Sequence, residues 1–170
     1  MNTFSELPLC APLQSNLTKH GFVQPTPVQR EAIPPALEGR DLVATAQTGT
    51  GKTLAFLLPV IQSLTKLEGK SAPGVRALIL APTRELALQI QESALRLTAG
   101  LKLNAAVVVG GMNENTQLRA LRQGAQIVIA TPGRLCPEPP IPTRRSNCSA
   151  KAPRTSSSSI APWAKPPRDR

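Results

Sequence analysis

The chain has 170 residues, 41% of them apolar, with 18 Pro, 11 Gly, four aromatic side chains and a formal net charge of +10. That length suits one domain and is too short for two. The totals average two unlike parts: Leu, Ile, Val, Met and Phe number 42 in residues 1–135 but 2 in residues 136–170, and those last 35 residues carry 8 of the Pro and +5 of the charge.

In chain order, Leu13 and Leu17 lie four apart between Leu9 and His20, as on one face of a short helix, with Gly21 placed to end it. Thr26-Pro27-Val28-Gln29 restarts the chain: Thr as N-cap, Pro at the first helical position, Gln three after the cap. That helix is expected to stop near Pro34-Pro35. Asp41 to Ala46 reads as a short apolar strand leading into a Gly-rich turn, and Lys52 to Leu67 as a helix kinked at Pro59. The alternation then repeats, with strands over Val75 to Ala81, Ala105 to Val109 and Gln126 to Ala130, and helices over Arg84 to Leu97 and Asn113 to Arg122. Strands that are apolar throughout suit a parallel sheet covered on both faces, so residues 1–135 form an α/β body. Residues 136–170 hold too few large apolar side chains to offset about 1–2 kcal/mol per residue of backbone ordering and are expected to be a disordered tail.

The longest apolar stretch, Leu54 to Ile61, contains Pro59 and falls short of the roughly 18 residues that span a bilayer. The start MNTFSELPL lacks a basic segment followed by an apolar core, so neither a signal peptide nor a membrane anchor is expected. Cys10, Cys136 and Cys148 are odd in number and lack metal-ligand spacing, and His20 is the only histidine. Reduced thiols in a cytoplasmic protein follow.

The segment richest in chemistry is Ala46-Gln47-Thr48-Gly49-Thr50-Gly51-Lys52-Thr53, between the expected strand and helix. It is a P-loop. Gly49 and Gly51 permit the tight turn that aims N–H groups at phosphate oxygens, and the following helix adds its partial positive charge. Lys52 would reach the β- and γ-phosphates and Thr53 would place its hydroxyl on Mg²⁺. Ala46 stands where the usual pattern has Gly, and the plain alternative is an ordinary Gly-rich turn with a solvated lysine.

Other segments narrow this to a family. Gly21-Phe22, Pro25-Thr26 and Gln29 resemble the Q motif of DEAD-box RNA helicases, with Phe4 as the isolated aromatic 17 positions before Gly21. Ala46 to Thr53 is similar to that family's motif I, including the Ala. Pro82-Thr83-Arg84-Glu85-Leu86-Ala87 resembles motif Ia, Gly110-Gly111 the GG motif and Thr131-Pro132-Gly133-Arg134-Leu135 motif Ib. The ordered set spans residues 4–135 and most resembles bacterial members.

The resemblance implies a RecA-like P-loop domain that binds ATP with Mg²⁺ and RNA without reading its sequence. Gln29 would read adenine through an amide that both donates and accepts, or else only close a capping box with Thr26. Phe4 would stack on the base, and Phe22 would support the pocket or sit in the core. Pro82, Thr83, Arg84, Glu85, Gly110, Gly111, Thr131, Pro132, Gly133 and Arg134 would hold the sugar-phosphate backbone, Arg being suited to bidentate phosphate contact. A solvated ion pair at a helix start and plain Gly turns are the alternative for these segments.

After Leu135 the resemblance stops. The family's Asp-Glu-Ala-Asp and Ser-Ala-Thr motifs and its second RecA-like domain are absent from these 170 residues. Hydrolysis needs a carboxylate to hold Mg²⁺ and charge to stabilise the γ-phosphate, and the tail offers only Glu138 and Asp169. The body is therefore expected to be an incomplete domain, able to bind but not to hydrolyse or unwind. In the family the strands carrying the two missing motifs lie in the middle of the sheet, beside the P-loop strand, so the resemblance implies that Leu42 to Ala46 loses its neighbour. Pro, Arg, Ala and Ser make 23 of the 35 tail residues, the composition of a GC-rich message read out of frame; the alternative is a basic RNA-binding arm. A non-catalytic RNA- or nucleotide-binding module is the second functional reading of the chain.

Overall fold

The structure, a computed structural model, describes residues 2–67 and 74–135, within a compact unit spanning Met1–Glu138. The expected tail lies outside the described residues. A short 3-10 turn, Phe4–Glu6, leads into α1 (Ala11–Lys19) and α2 (Pro27–Leu37). Then follow α3 (Lys52–Lys66), β1 (Ala77–Leu80), α4 (Arg84–Thr98), β2 (Ala105–Val108), α5 (Glu114–Arg122), β3 (Ile127–Ala130) and the four-residue α6 (Pro132–Leu135).

The strands form one parallel sheet in the order β1-β3-β2. Register is tight: Leu80 and Val108 both stand opposite Ala130. All three strands therefore end together, and the segments that follow them leave from one edge of the sheet. β3, in the middle, is buried along its whole length, and its neighbours are partly open. Helix α4 packs across β2 and β3 on one side and meets α1 and α3, while α5 lies against β2. Leu13, Leu17, Ile33, Leu57, Leu58, Ile61, Leu97, Ile127 and Ile129 make the fully buried centre. Two amides tie the N-terminal helix to this body: Asn16 donates to Leu97 O and Ala99 O, both at 2.8 Å, and Gln62 Oε1 accepts from Cys10 N at 2.8 Å.

Two expectations need correction. Helix α2 does not stop at Pro34-Pro35 but runs through both to Leu37. The rings remove the amides that would donate to the carbonyls of Arg30 and Glu31, and those residues are exposed, so water can replace the lost partners. The proline carbonyls still accept, from Glu38 N at 3.3 Å and Arg40 N at 3.1 Å.

The second correction is larger. Residues 41–46, expected as a strand, belong to no ladder. They are open to solvent, Val43 being 97% exposed. A strand exists only through its partners, and the nearest edge, β1, is separated from them by a cavity of about 1000 Å³.

Candidate functional site

Residues 46–53 form a tight glycine turn that leads into α3 without a strand before it. Gly49 and Gly51 have φ of 82° and 86°, in the left-handed region that other residues avoid. Gly51 is the N-cap of α3, and the first helical bond runs from Ala55 N to Gly51 O at 3.3 Å, so the amides of the first turn stay open at the positive end of a 15-residue helix. Thr50 Oγ1 donates to Gln47 O at 2.8 Å and tightens the turn. The Lys52 ammonium donates to the carbonyls of Ala46 and Gln47. It is thus folded back over the loop that its charge would serve. Thr48 is exposed, and Thr53 is half-buried in the first turn of α3.

The loop is held from one side by the start of α2. Thr26 Oγ1 donates to Thr50 O at 2.8 Å and Gln29 Nε2 donates to Gly51 O at 3.0 Å, while Gln29 Oε1 accepts from Thr26 N at 2.9 Å. Gln29 is 4% exposed. A Cβ on Gly51 would stand 2.3 Å from Gln29 Nε2, so the close approach itself requires glycine. These contacts leave the Gln29 amide one N–H and one lone pair to spare. The capping box seen in the sequence is real, and it doubles as a brace for the loop.

Phe4 and Phe22 exchange the environments expected of them. Phe4 is 3% exposed within the core, whereas Phe22 is 39% exposed. They share a separate cavity of about 180 Å³ whose walls include neither Gln29 nor any residue of 46–53.

A second group gathers at the edge where the strands end. Thr83 caps α4, its Oγ1 accepting from Leu86 N at 3.2 Å. Arg84 Nη1 donates to Gly111 O at 3.2 Å. Gly111 has φ of 72°, and a Cβ there would stand 2.7 Å from Arg84 Nη1. Arg134 pairs with Glu114 at 3.0 Å. Pro82, Glu85, Gly110, Pro132 and Gly133 are exposed, and Thr131 and Arg134 are half-buried. The structure therefore joins the three segments after β1, β2 and β3 through one turn, with exposed backbone and two guanidinium groups along it. Exposed backbone and guanidinium groups of this kind can bond phosphates and sugar hydroxyls.

Residues 26–144 match the family described as DEAD/DEAH box helicase. The chain belongs to that family. Two relatives are the probable ATP-dependent RNA helicase ddx27 of Dictyostelium discoideum, 48% identical over 133 residues, and DEAD-box ATP-dependent RNA helicase 20 of Oryza sativa subsp. japonica, 50% identical over 121 residues. The matches cover 78% and 70% of this chain but only 17% and 24% of those proteins. Among solved structures, the RNA helicase Prp28 of Chaetomium thermophilum bound to ADP is similar with a TM-score of 0.73 at 45% identity, over 79% of this chain and 33% of that one. The described body is thus part of a RecA-like helicase domain. All three relatives are eukaryotic and lend no support to a bacterial subdivision.

Two helicase-domain residues escaped the sequence reading. Gln117 is the one buried residue of α5 and donates to Val109 O at 2.9 Å, bracing the Gly110-Gly111 turn. Glu114 holds Arg134. The large apolar residues of α5, Leu118 and Leu121, mark an inner face but do not say which neighbouring amide turns inward with them, so only the spacing of Gln117 from the Gly pair could have pointed to it.

Proposed function

We propose that this chain is the nucleotide- and RNA-binding front of a DEAD-box ATP-dependent RNA helicase, and that its 170 residues bind without turning over ATP. The observation that carries this reading is the P-loop held in its left-handed glycine turn by Thr26 and Gln29. The residues present fit a nucleotide: open amides at the start of α3 and Lys52 would hold phosphates, and Thr53 would contribute a hydroxyl to Mg²⁺. The spare donor and acceptor of Gln29 suit adenine, and base stacking by Phe4 would require its 3-10 turn to shift and bring the ring out of the core. ATP supplies the free energy that a complete helicase couples to RNA. In this chain Lys52 and the loop amides orient the phosphates, and Arg84, Arg134 and the Gly110-Gly111 turn hold RNA backbone.

No group of three acidic, His or Cys side chains that could hold a metal occurs among the described residues. Turnover by these 170 residues is not expected on a separate ground: hydrolysis needs a carboxylate to hold Mg²⁺ and position water, and residues 46–53 contain none. No described helix is long and apolar enough to cross a membrane.

ATP turnover with and without single-stranded RNA tests the catalytic half of the proposal; RNA-stimulated hydrolysis by these 170 residues would overturn it. Filter binding tests the other half. Arg84→Ala and Arg134→Ala should weaken RNA binding by a similar factor on unrelated sequences and flatten its salt dependence, and an unchanged affinity in both would remove the assignment.

A further inference from the structure

The two guanidinium groups at the edge where the strands end are held by unlike partners. Arg84 Nη1 donates to a neutral acceptor, Gly111 O, at 3.2 Å. Arg134 Nη2 stands 3.0 Å from a charged one, Glu114 Oε2. The ion pairs Arg40–Glu38 and Arg96–Glu92 each form within one short stretch of chain, whereas Arg134–Glu114 joins the segment after β3 to the segment after β2.

Both ends of that pair are carried on anchored backbone. Thr131 N donates to Val108 O at 3.1 Å and Arg134 N to Thr131 O at 3.1 Å, which ties α6 to the end of β2. On the other side Asn113 Oδ1 accepts from Asn115 N at 2.9 Å, and buried Gln117 fastens the same helix start to Val109 O. Glu114 is the first residue of α5, where the positive helix end favours a carboxylate. The contact itself is open: the Glu114 side chain is 68% exposed and that of Arg134 33%. Exposed pairs are weak enough for another anion to exchange with the carboxylate. A phosphate offers a guanidinium the same kind of acceptor oxygens, so the two anions compete for one donor group.

We infer that Glu114 is an internal competitor of RNA: its carboxylate occupies Arg134 in the free chain, and an RNA phosphate must displace it. The inference rests on the proposed reading of Arg134 as an RNA-backbone contact. Glu114 thereby lowers RNA affinity through Arg134, while Arg84, bonded to a carbonyl, undergoes no exchange of anions. Because salt screens the pair, its opposition to RNA is largest at low ionic strength.

The test titrates the full chain and its variants into a fluorescent single-stranded oligouridylate over a series of salt concentrations. Glu114→Gln keeps the size of the side chain and removes its charge. It should bind about two- to fivefold more tightly than the wild-type chain at low salt, with the gain fading as salt rises. Arg134→Ala should bind more weakly than wild type, and adding Glu114→Gln to it should bring no gain. Glu92→Gln removes the same charge further along α4, from the pair with Arg96, and should leave affinity close to that of wild type. An unchanged or weaker Glu114→Gln, a gain that persists without Arg134, or an equal gain from Glu92→Gln would each overturn the inference and leave the RNA-binding reading standing. If Arg134→Ala binds like wild type, or the wild-type chain shows no saturable binding, that reading fails and the inference fails with it.

Discussion

Gly51 carries two constraints at once, a left-handed backbone and contact with a buried amide, whereas Gly49 carries only the first. Their alanine variants should therefore differ. Gly49→Ala should cost about 1–2 kcal/mol from backbone conformation alone, and Gly51→Ala should cost more because its Cβ also displaces Gln29. Urea midpoints of the two variants measure the difference; equal costs would mean that Gln29 does not press on the loop. Gln29→Ala removes the partners of Thr26 N and Gly51 O together and should cost about 1–3 kcal/mol. Nucleotide affinity should fall with it even for nucleotides lacking adenine, because the brace acts on the phosphate loop. At this scale the sequence was a good guide to identity and a partial one to role. The spacing of Thr26 and Gln29 announced a capping box, but their bonds to Thr50 and Gly51 cross more than twenty residues of chain, and no local pattern encodes them.

Helices and strands were legible where local signals and burial agree. The three strands of the sheet read as short apolar runs, and Thr83 and Asn113 mark the starts of α4 and α5 by accepting from amides of the first turn. The reading failed at α2, where exposed carbonyls tolerate two prolines, and at residues 41–46, where an apolar run lacks the neighbour that makes it a strand. The Gly110-Gly111 turn shows a further way in which elements depend on one another. Arg84 reaches it from α4, Gln117 supports it from α5, and Glu114 one turn earlier holds Arg134. Gly111→Ala should displace the Arg84 guanidinium and weaken RNA binding more than it lowers stability. Gln117→Leu should do the reverse in part, leaving Val109 O without its donor inside the protein at about 1–3 kcal/mol. Paired thermal melts and RNA titrations on both variants check this ordering, and a turn that moved neither quantity would not be the junction described.

For the whole molecule, the net charge of +10 is weak evidence of RNA binding, because half of it lies in residues 136–170; the three motif segments gathered where the strands end are the stronger support for that proposal. The same body carries an open apolar edge and an unpaired apolar segment, both of which cost stability and invite association. Thermal unfolding of the chain alone should accordingly be broad, and a sharp cooperative melt with well-dispersed amide signals throughout residues 1–135 would contradict that. On the proposed reading, nucleotide binding needs less than the full sheet, because the loop, its glycines and the brace from α2 are all in place. The most direct test of that claim is a titration of a fluorescent ADP analogue into the wild-type chain and into Lys52→Ala. Saturable binding that Lys52→Ala weakens strongly is the predicted result; equal affinity in the two proteins would contradict the account.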